Sequence, residues 1–202
     1  MKKFIFPAFL LLALTIGFNP AFAAVDTAPG QNKLVCFDGT TEGTIYGGDC
    51  VMKSKGARGP AILNNTDGDT EGSYSGVYVE ASSMYESLLS DITQLGFNYS
   101  GDEATAGSPR ISIPVDTNND GVTNGYLFVS AYYCNDGEGT VDVINDETCT
   151  IYTNFSDESW ANWDELLADH SDWSIANDAY VFIIADDPGT WTVSGVKFGS
   201  VK

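Results

Sequence analysis

Val77-Tyr78-Val79-Glu80-Ala81 alternates apolar and polar side chains, and Leu95-Gly96-Phe97-Asn98-Tyr99 repeats the pattern further along the chain. Successive side chains of a strand point to opposite faces, so each stretch reads as a half-buried β-strand. Ile111, Ile113 and Val115 form another such set, but Pro114 cannot donate to a ladder, which predicts an edge strand or a bulge. Tyr126 to Tyr133 and Thr148 to Thr153 add further strands, joined by a loop that includes Asn135-Asp136-Gly137. Tyr180-Val181-Phe182-Ile183-Ile184-Ala185 is apolar on both faces, as expected of a central strand covered from both sides. Trp191 and Val193 point one way, and Val196 and Phe198 continue in shifted phase, so Ser194-Gly195 reads as a bulge. Short strands separated by Gly, Asn and Asp clusters predict an all-β fold, a jelly-roll-like antiparallel β-sandwich.

Two segments break this pattern and predict one or two short helices. Ser83 with Glu86 three residues later forms a capping-box pattern ahead of Leu88, Leu89, Ile92 and Leu95, with Gly96 as a stop; a strand is the alternative. Trp160, Trp163, Leu167 and His170 recur at helical spacing, with Asp157 and Glu158 placed for the first turn of a helix of about three turns.

Met1-Lys2-Lys3, the apolar run from Phe4 to Phe18 and the small-x-small site Ala21-Phe22-Ala23 have the order of a secretory signal peptide, cleaved after residue 23. The apolar run is shorter than the roughly 20 residues of a spanning helix. The expectation is a secreted or periplasmic protein that does not insert in a membrane after cleavage. It would have a flexible leader over 24–33 and one sandwich domain over 34–202. The formal charge is −19, and loss of Lys2 and Lys3 with the leader makes it more negative still. So acidic a chain repels nucleic acid and anionic lipid.

Cysteines stand at 36, 50, 134 and 149. In an exported chain an even count reads as disulfides, with three pairings open. The near pairs Cys36–Cys50 and Cys134–Cys149 are favoured, because each closes a Gly- and Asp-rich loop of hairpin size. A zinc site fits poorly, with one histidine and no C-x-x-C.

Asp116-Thr117-Asn118-Asn119-Asp120-Gly121 matches the opening of a calcium loop, in which Asp116, Asn118 and Asp120 present oxygens at alternate positions and Gly121 makes the turn. The twelfth position is Leu127 and the flanks are strands, so an EF-hand is excluded. A looser calcium loop and a plain Asn/Asp/Gly hairpin remain as the two readings. Asp67-Gly68-Asp69 with Glu71, and Asp136-Gly137-Glu138, are further acidic Gly loops. Tyr74, Tyr78, Tyr132 and Tyr152 sit on the polar side of alternations or near strand ends, where aromatic faces could stack on sugar rings. Trp160 and Trp163 are expected in the core. His170, the only histidine, lies on the apolar stripe of its helix with no serine in a nucleophile-elbow context, which favours a structural role.

Leu95-Gly96-Phe97-Asn98-Tyr99, the run from Gly107 to Asp116, Trp160-Ala161-Asn162-Trp163, Phe182 to Asp186 and Trp191-Thr192-Val193 together resemble a group of uncharacterised secreted bacterial jelly-roll domains, over roughly residues 90 to 199. The resemblance implies architecture and supplies no catalytic residues. The functional expectation is a non-catalytic module that binds a glycan or another cell-surface ligand, with calcium as a candidate structural ion. The alternatives are a self-associating or adhesive protein using an edge such as Ile111 to Val115, and a polysaccharide hydrolase or lyase.

Overall fold

The computed structural model describes residues 32–41, 44–45, 48–53, 58–65, 73–134 and 139–200. The expected signal peptide, most of the expected leader, and the loops at Asp67–Glu71 and Asp136–Glu138 lie outside the described residues.

Alternation places one apolar row per strand inward, and two antiparallel sheets bury those rows against each other. The larger sheet contains β1 (Lys33–Asp38), β6 (Ser75–Glu80), β8 (Arg110–Asp116), β9 (Gly125–Ser130), β11 (Ile151–Thr153), β12 (Ser159–Trp160), β13 (Ser174–Ile175) and β14 (Val181–Ala185). Its order is β1-β6-β14-β8-β9-β11-β12, with β13 also paired to β8. The smaller sheet has the order β10-β7-β15-β5-β4, from β4 (Gly48–Met52), β5 (Ala61–Asn65), β7 (Gln94–Gly101), β10 (Thr140–Asp142) and β15 (Gly189–Gly199). A two-residue ribbon of β2 (Thr40–Thr41) and β3 (Thr44–Ile45) lies between β1 and β4 in the chain. The chain crosses repeatedly from one sheet to the other.

Val77 and Val79, Ile111, Ile113 and Val115, Leu127 and Val129, and Val181 and Ile183 face Leu63, Leu95, Phe97, Trp191 and Val193 in one core. The register of β7 against β15 slips between Ser194 and Lys197, and Gly195 has φ +59°, so the bulge falls where the phase change predicts it.

Both near-neighbour disulfides are present. Cys36–Cys50 joins β1, an edge of the larger sheet, to β4, an edge of the smaller one, and so clips the sandwich shut along that side. Cys134–Cys149 closes the excursion that carries β10 into the smaller sheet.

Several expectations are corrected. The Ile111 to Val115 strand is central, with β14 on one side and β9 on the other. Pro114 is tolerated there because its nitrogen side faces the place where β14 pairing has ended, and its carbonyl alone is used, accepting from Ala176 N–H at 3.2 Å. This strand therefore offers no free edge for self-association. Ser83 caps no α-helix: the segment forms 3₁₀ turns at Ser82–Met84 and Leu89–Asp91. Backbone bonds from Glu86 to Ile175 and from Leu89 to Trp173 hold it, Glu86 takes φ +63°, and Gly96 lies inside β7. Tertiary pairing outweighs the local helical signal.

The second helix exists but is shorter: α1 spans Trp163–His170, and Trp160 belongs to β12. Asn162 caps it, accepting from Glu165 N–H at 3.0 Å, while Glu165 reaches back to the Ala161 N–H at 2.9 Å. Asp164 and Glu165, and not Asp157 and Glu158, therefore occupy the first turn. The expected leader over 24–33 runs two residues into the sandwich, since Asn32 bonds to the Glu80 and Phe198 carbonyls and Lys33 already belongs to β1.

Candidate functional site: an aromatic face on the larger sheet

The registers align one row of outward residues across the larger sheet. Val35 of β1 pairs with Tyr78 of β6, Tyr78 with Phe182 of β14, Phe182 with Ser112 of β8, Ser112 with Phe128 of β9, and Phe128 with Tyr152 of β11. From Tyr78 to Tyr152 the row covers four inter-strand steps, about 19 Å at ~4.8 Å per step. The neighbours of Tyr78, Phe182 and Phe128 along their strands are core residues, as is Ile151 before Tyr152, so alternation turns the rings outward.

The rings touch one another. Phe37 stacks on Tyr78 at 4.3 Å and meets Phe182 edge-on at 5.9 Å. It lies over Gly76, where an added Cβ would stand 2.4 Å from its ring. Tyr126 reaches Phe182 at 5.5 Å and stacks with Phe128 at 6.3 Å. Tyr180 meets Tyr78 at 5.1 Å. Val181, Ile183 and Ala185 are buried, whereas Phe182 and Ile184 on the other face of β14 are half-buried. This corrects the expectation of a strand covered from both sides: sideways contact between rings takes the place of a covering layer.

Charge is managed differently here from the rest of the chain. Two of the three ion pairs among the described residues lie on or beside this face: Arg110–Asp186 at 2.5 Å and Lys33–Glu80 at 3.2 Å. Arg110 also lies over the Phe128 ring at 5.1 Å. Asp186 is raised above the usual carboxylate range, first by burial and then by Asp187, against the opposing pull of Arg110 and Ser108. The Ser108 hydroxyl donates to Asp186 at 3.2 Å and accepts the Asp186 and Asp187 N–H groups at 2.8 Å each, and Asp187 accepts from Thr105 and the Gly107 N–H. That network ties the loop before β8 to the end of β14, so its ionisable groups are consumed by internal bonds.

Three phenols here are raised above their ordinary range. Burial pushes Tyr85 up to about 12, with Tyr180, Glu80 and Tyr126 adding to it, and burial likewise raises Tyr78 and Tyr126. Each can donate one hydrogen bond and accept others across the physiological range.

The four tyrosines singled out in the sequence fall into two pairs. Tyr74 and Tyr78 meet around Phe37. Tyr132 and Tyr152 both contact Tyr133, at 4.9 and 5.4 Å for the two centroid pairs, and they are 51% and 37% exposed. Sequence reading missed Phe182, Tyr126 and Phe128, which connect the two pairs. For Tyr126 and Phe128 the signal was the same alternation, since they flank Leu127, whereas Phe182 lies in a run that is apolar throughout.

The Asp116–Gly121 segment follows β8 as a tight loop. Asp116 is 1% exposed, and its two oxygens accept the Asn118 N–H at 3.0 Å and the Gly121 N–H at 2.6 Å. Burial alone would raise this carboxyl, but the N–H groups of Gly121, Asn118, Asn119 and Asp120 outweigh burial and hold it below the ordinary range. Asp120 accepts from the Val122 N–H at 2.9 Å and from Asn118 at 3.2 Å. Asp116, Asn118 and Asp120 are thus adjacent, engaged chiefly with their own loop. No group of three or more His, Cys, Asp or Glu suited to a metal ion occurs among the described residues.

Trp160 and Trp163 are buried in the core, and His170 stacks on Trp173 at 3.8 Å. Among the described residues no helix is long and apolar enough to cross a membrane. The fold and its surface define an all-β sandwich with an aromatic face on its larger sheet. No protein-family model, curated protein or solved structure matches the chain.

Proposed function

We propose that this is an exported, non-catalytic binding module that docks a neutral glycan on the outer face of its larger sheet. The observation that carries the reading is the row Tyr78, Phe182, Phe128 and Tyr152, which is continuous across the strands and poor in net charge in a chain with twenty-eight acidic residues. Ring faces supply apolar contact to sugar C–H surfaces, while the Tyr78 and Tyr126 phenols supply donors and acceptors for hydroxyls. The exposed ends of the row, Tyr180 near Tyr78 and Tyr132 near Tyr152, extend it for a chain-like ligand. An uncharged ligand pays no penalty for approaching an acidic protein. The two disulfides fit an oxidising compartment, where such ligands are met.

A glycan array probed with the processed protein, with and without chelator, tests the reading. Binding to a neutral class, lost on Tyr152→Ala, supports it. Binding to no class overturns it. Binding that disappears with chelator and returns with calcium makes Asp116, Asn118 and Asp120 part of the module's function.

A further inference from the structure

The outer face of the smaller sheet is built differently from that of the larger, and it contains a small polar cleft of about 170 Å³. The pairing of β10, β7 and β15 places Asp142 opposite Gly96, and Gly96 opposite Lys197. One acidic and one basic side chain therefore flank a glycine, on strands two inter-strand steps apart, about 9–10 Å between their Cα atoms. Gly96 is required by the fold: an added Cβ would stand 2.1 Å from the Val141 carbonyl oxygen, because β10 leans over this point. The Val141 carbonyl therefore covers Gly96, and no side chain stands between the two opposite charges.

The next pairing along the cleft is Thr140 with Asn98, and the Thr140 hydroxyl donates to the Asn98 side-chain Oδ1 at 3.3 Å. Asn145 holds the carboxylate of Asp142, its Nδ2 at 2.9 Å from both oxygens. Lys197 lines the cleft, is exposed and has no ion-pair partner among the described residues. The β15 bulge at Gly195 lies beside it and breaks the regular ladder there.

We propose that this cleft binds a compact zwitterion of the amino-acid class, its carboxylate on Lys197 and its ammonium on Asp142, with Asn98 and Thr140 as neutral hydrogen-bonding partners. Opposite walls favour a molecule carrying both charges over one carrying either alone, since a lone anion meets Asp142 and a lone cation meets Lys197. The cleft lies on the sheet opposite the aromatic face, so the proposal stands or falls apart from glycan binding.

The test is titration of the protein with glycine, acetate or methylammonium, followed through the backbone amide resonances. Saturable shifts at Gly96, Asn98, Asp142, Asn145 and Lys197 with glycine, at least about tenfold weaker with acetate or methylammonium, are expected. Lys197→Gln and Asp142→Asn, both on exposed side chains, should each weaken glycine binding about tenfold with an unchanged spectrum elsewhere. Absence of saturable shifts with glycine overturns the proposal. Equal response to acetate overturns it too, by showing an anion site on Lys197 alone, and so does glycine binding that survives both substitutions.

Discussion

Tyr126 and Phe182 meet at 5.5 Å although β8 runs between their strands. The contact is possible because Ser112, the β8 residue between Phe182 and Phe128 in the row, is small and fully buried. The rings close over it, leaving its hydroxyl oxygen without a partner. The rings from Phe37 to Phe128 are thus connected across β8, with Phe182 at their centre through contacts to Phe37, Tyr78 and Tyr126, while Tyr152 continues the row by its register with Phe128.

Removing that centre should damage the surface more than removing its end. Phe182→Ala deletes a half-buried ring with three aromatic neighbours and should cost about 2–3 kcal/mol by denaturant unfolding, less than the ~3–5 kcal/mol of a fully buried Phe. Tyr152→Ala, on a 37% exposed residue, should leave stability within about 0.5–1 kcal/mol of the parent. It should nevertheless weaken glycan binding about tenfold. Equal stability losses for the two would show that the rings are not coupled.

The disulfide between the sheet edges makes a separate forecast. Cys36 and Cys50 are separated by 14 positions, a loop for which cross-linking contributes about 3 kcal/mol by restricting the unfolded chain. The double substitution Cys36→Ser with Cys50→Ser should lower the midpoint of thermal unfolding by about 6–12 °C, at 2–4 °C per kcal/mol for a domain of this size. Scanning calorimetry measures it. No change would mean that contacts between β1 and β4 hold the edges together without the bridge.

Asp116 sets the acid response. Its carboxyl is held below the ordinary range in the folded chain, so it contributes stability above the unfolded carboxylate pKa of about 3.9, and that stability is lost as pH falls through the lower folded value. Asp116→Asn should flatten the acid limb of a stability profile below about pH 4, and should lower stability at neutral pH because the amide nitrogen cannot accept the N–H bonds now made. Urea unfolding across that range shows the difference. An unaltered acid limb would mean that another carboxylate governs it.

Fold class and bridges were legible in the sequence because both depend on local spacing. Alternation at Val77–Ala81 and Leu95–Tyr99, the phase slip at Gly195 and the paired cysteines all report on near neighbours. The errors lie where distant residues decide. Pro114 reads as an edge signal, yet what matters is which strand lies on its nitrogen side. The helical spacing at 83–95 loses to backbone bonds from residues 173 to 175. The aromatic face was half visible: Tyr78 and Tyr152 stood out against polar neighbours, whereas Phe182 was hidden in an apolar run that gave no hint of an exposed side. Only the registers join the three, and register is not written in any single strand.

His170 offers the final test, between a stacking role and a chemical one. Its ring lies parallel to Trp173 at 3.8 Å and edge-on to Trp160 at 5.3 Å, and Trp160 Nε1 donates to Asp169 at 3.1 Å. The nearest ion-pair carboxylate, Glu158, stands 4.0 Å away. An aromatic ring at this place is what the packing uses, and a stacked pair contributes about 0.5–1.5 kcal/mol beyond the area it buries. His170→Ala should therefore lower the unfolding midpoint by a few degrees, at about 2–4 °C per kcal/mol, and His170→Phe should recover most of the loss. Recovery by phenylalanine assigns the residue to packing, because phenylalanine stacks and cannot transfer a proton. If His170→Phe is no more stable than His170→Ala, the imidazole nitrogens matter and the stacking account fails.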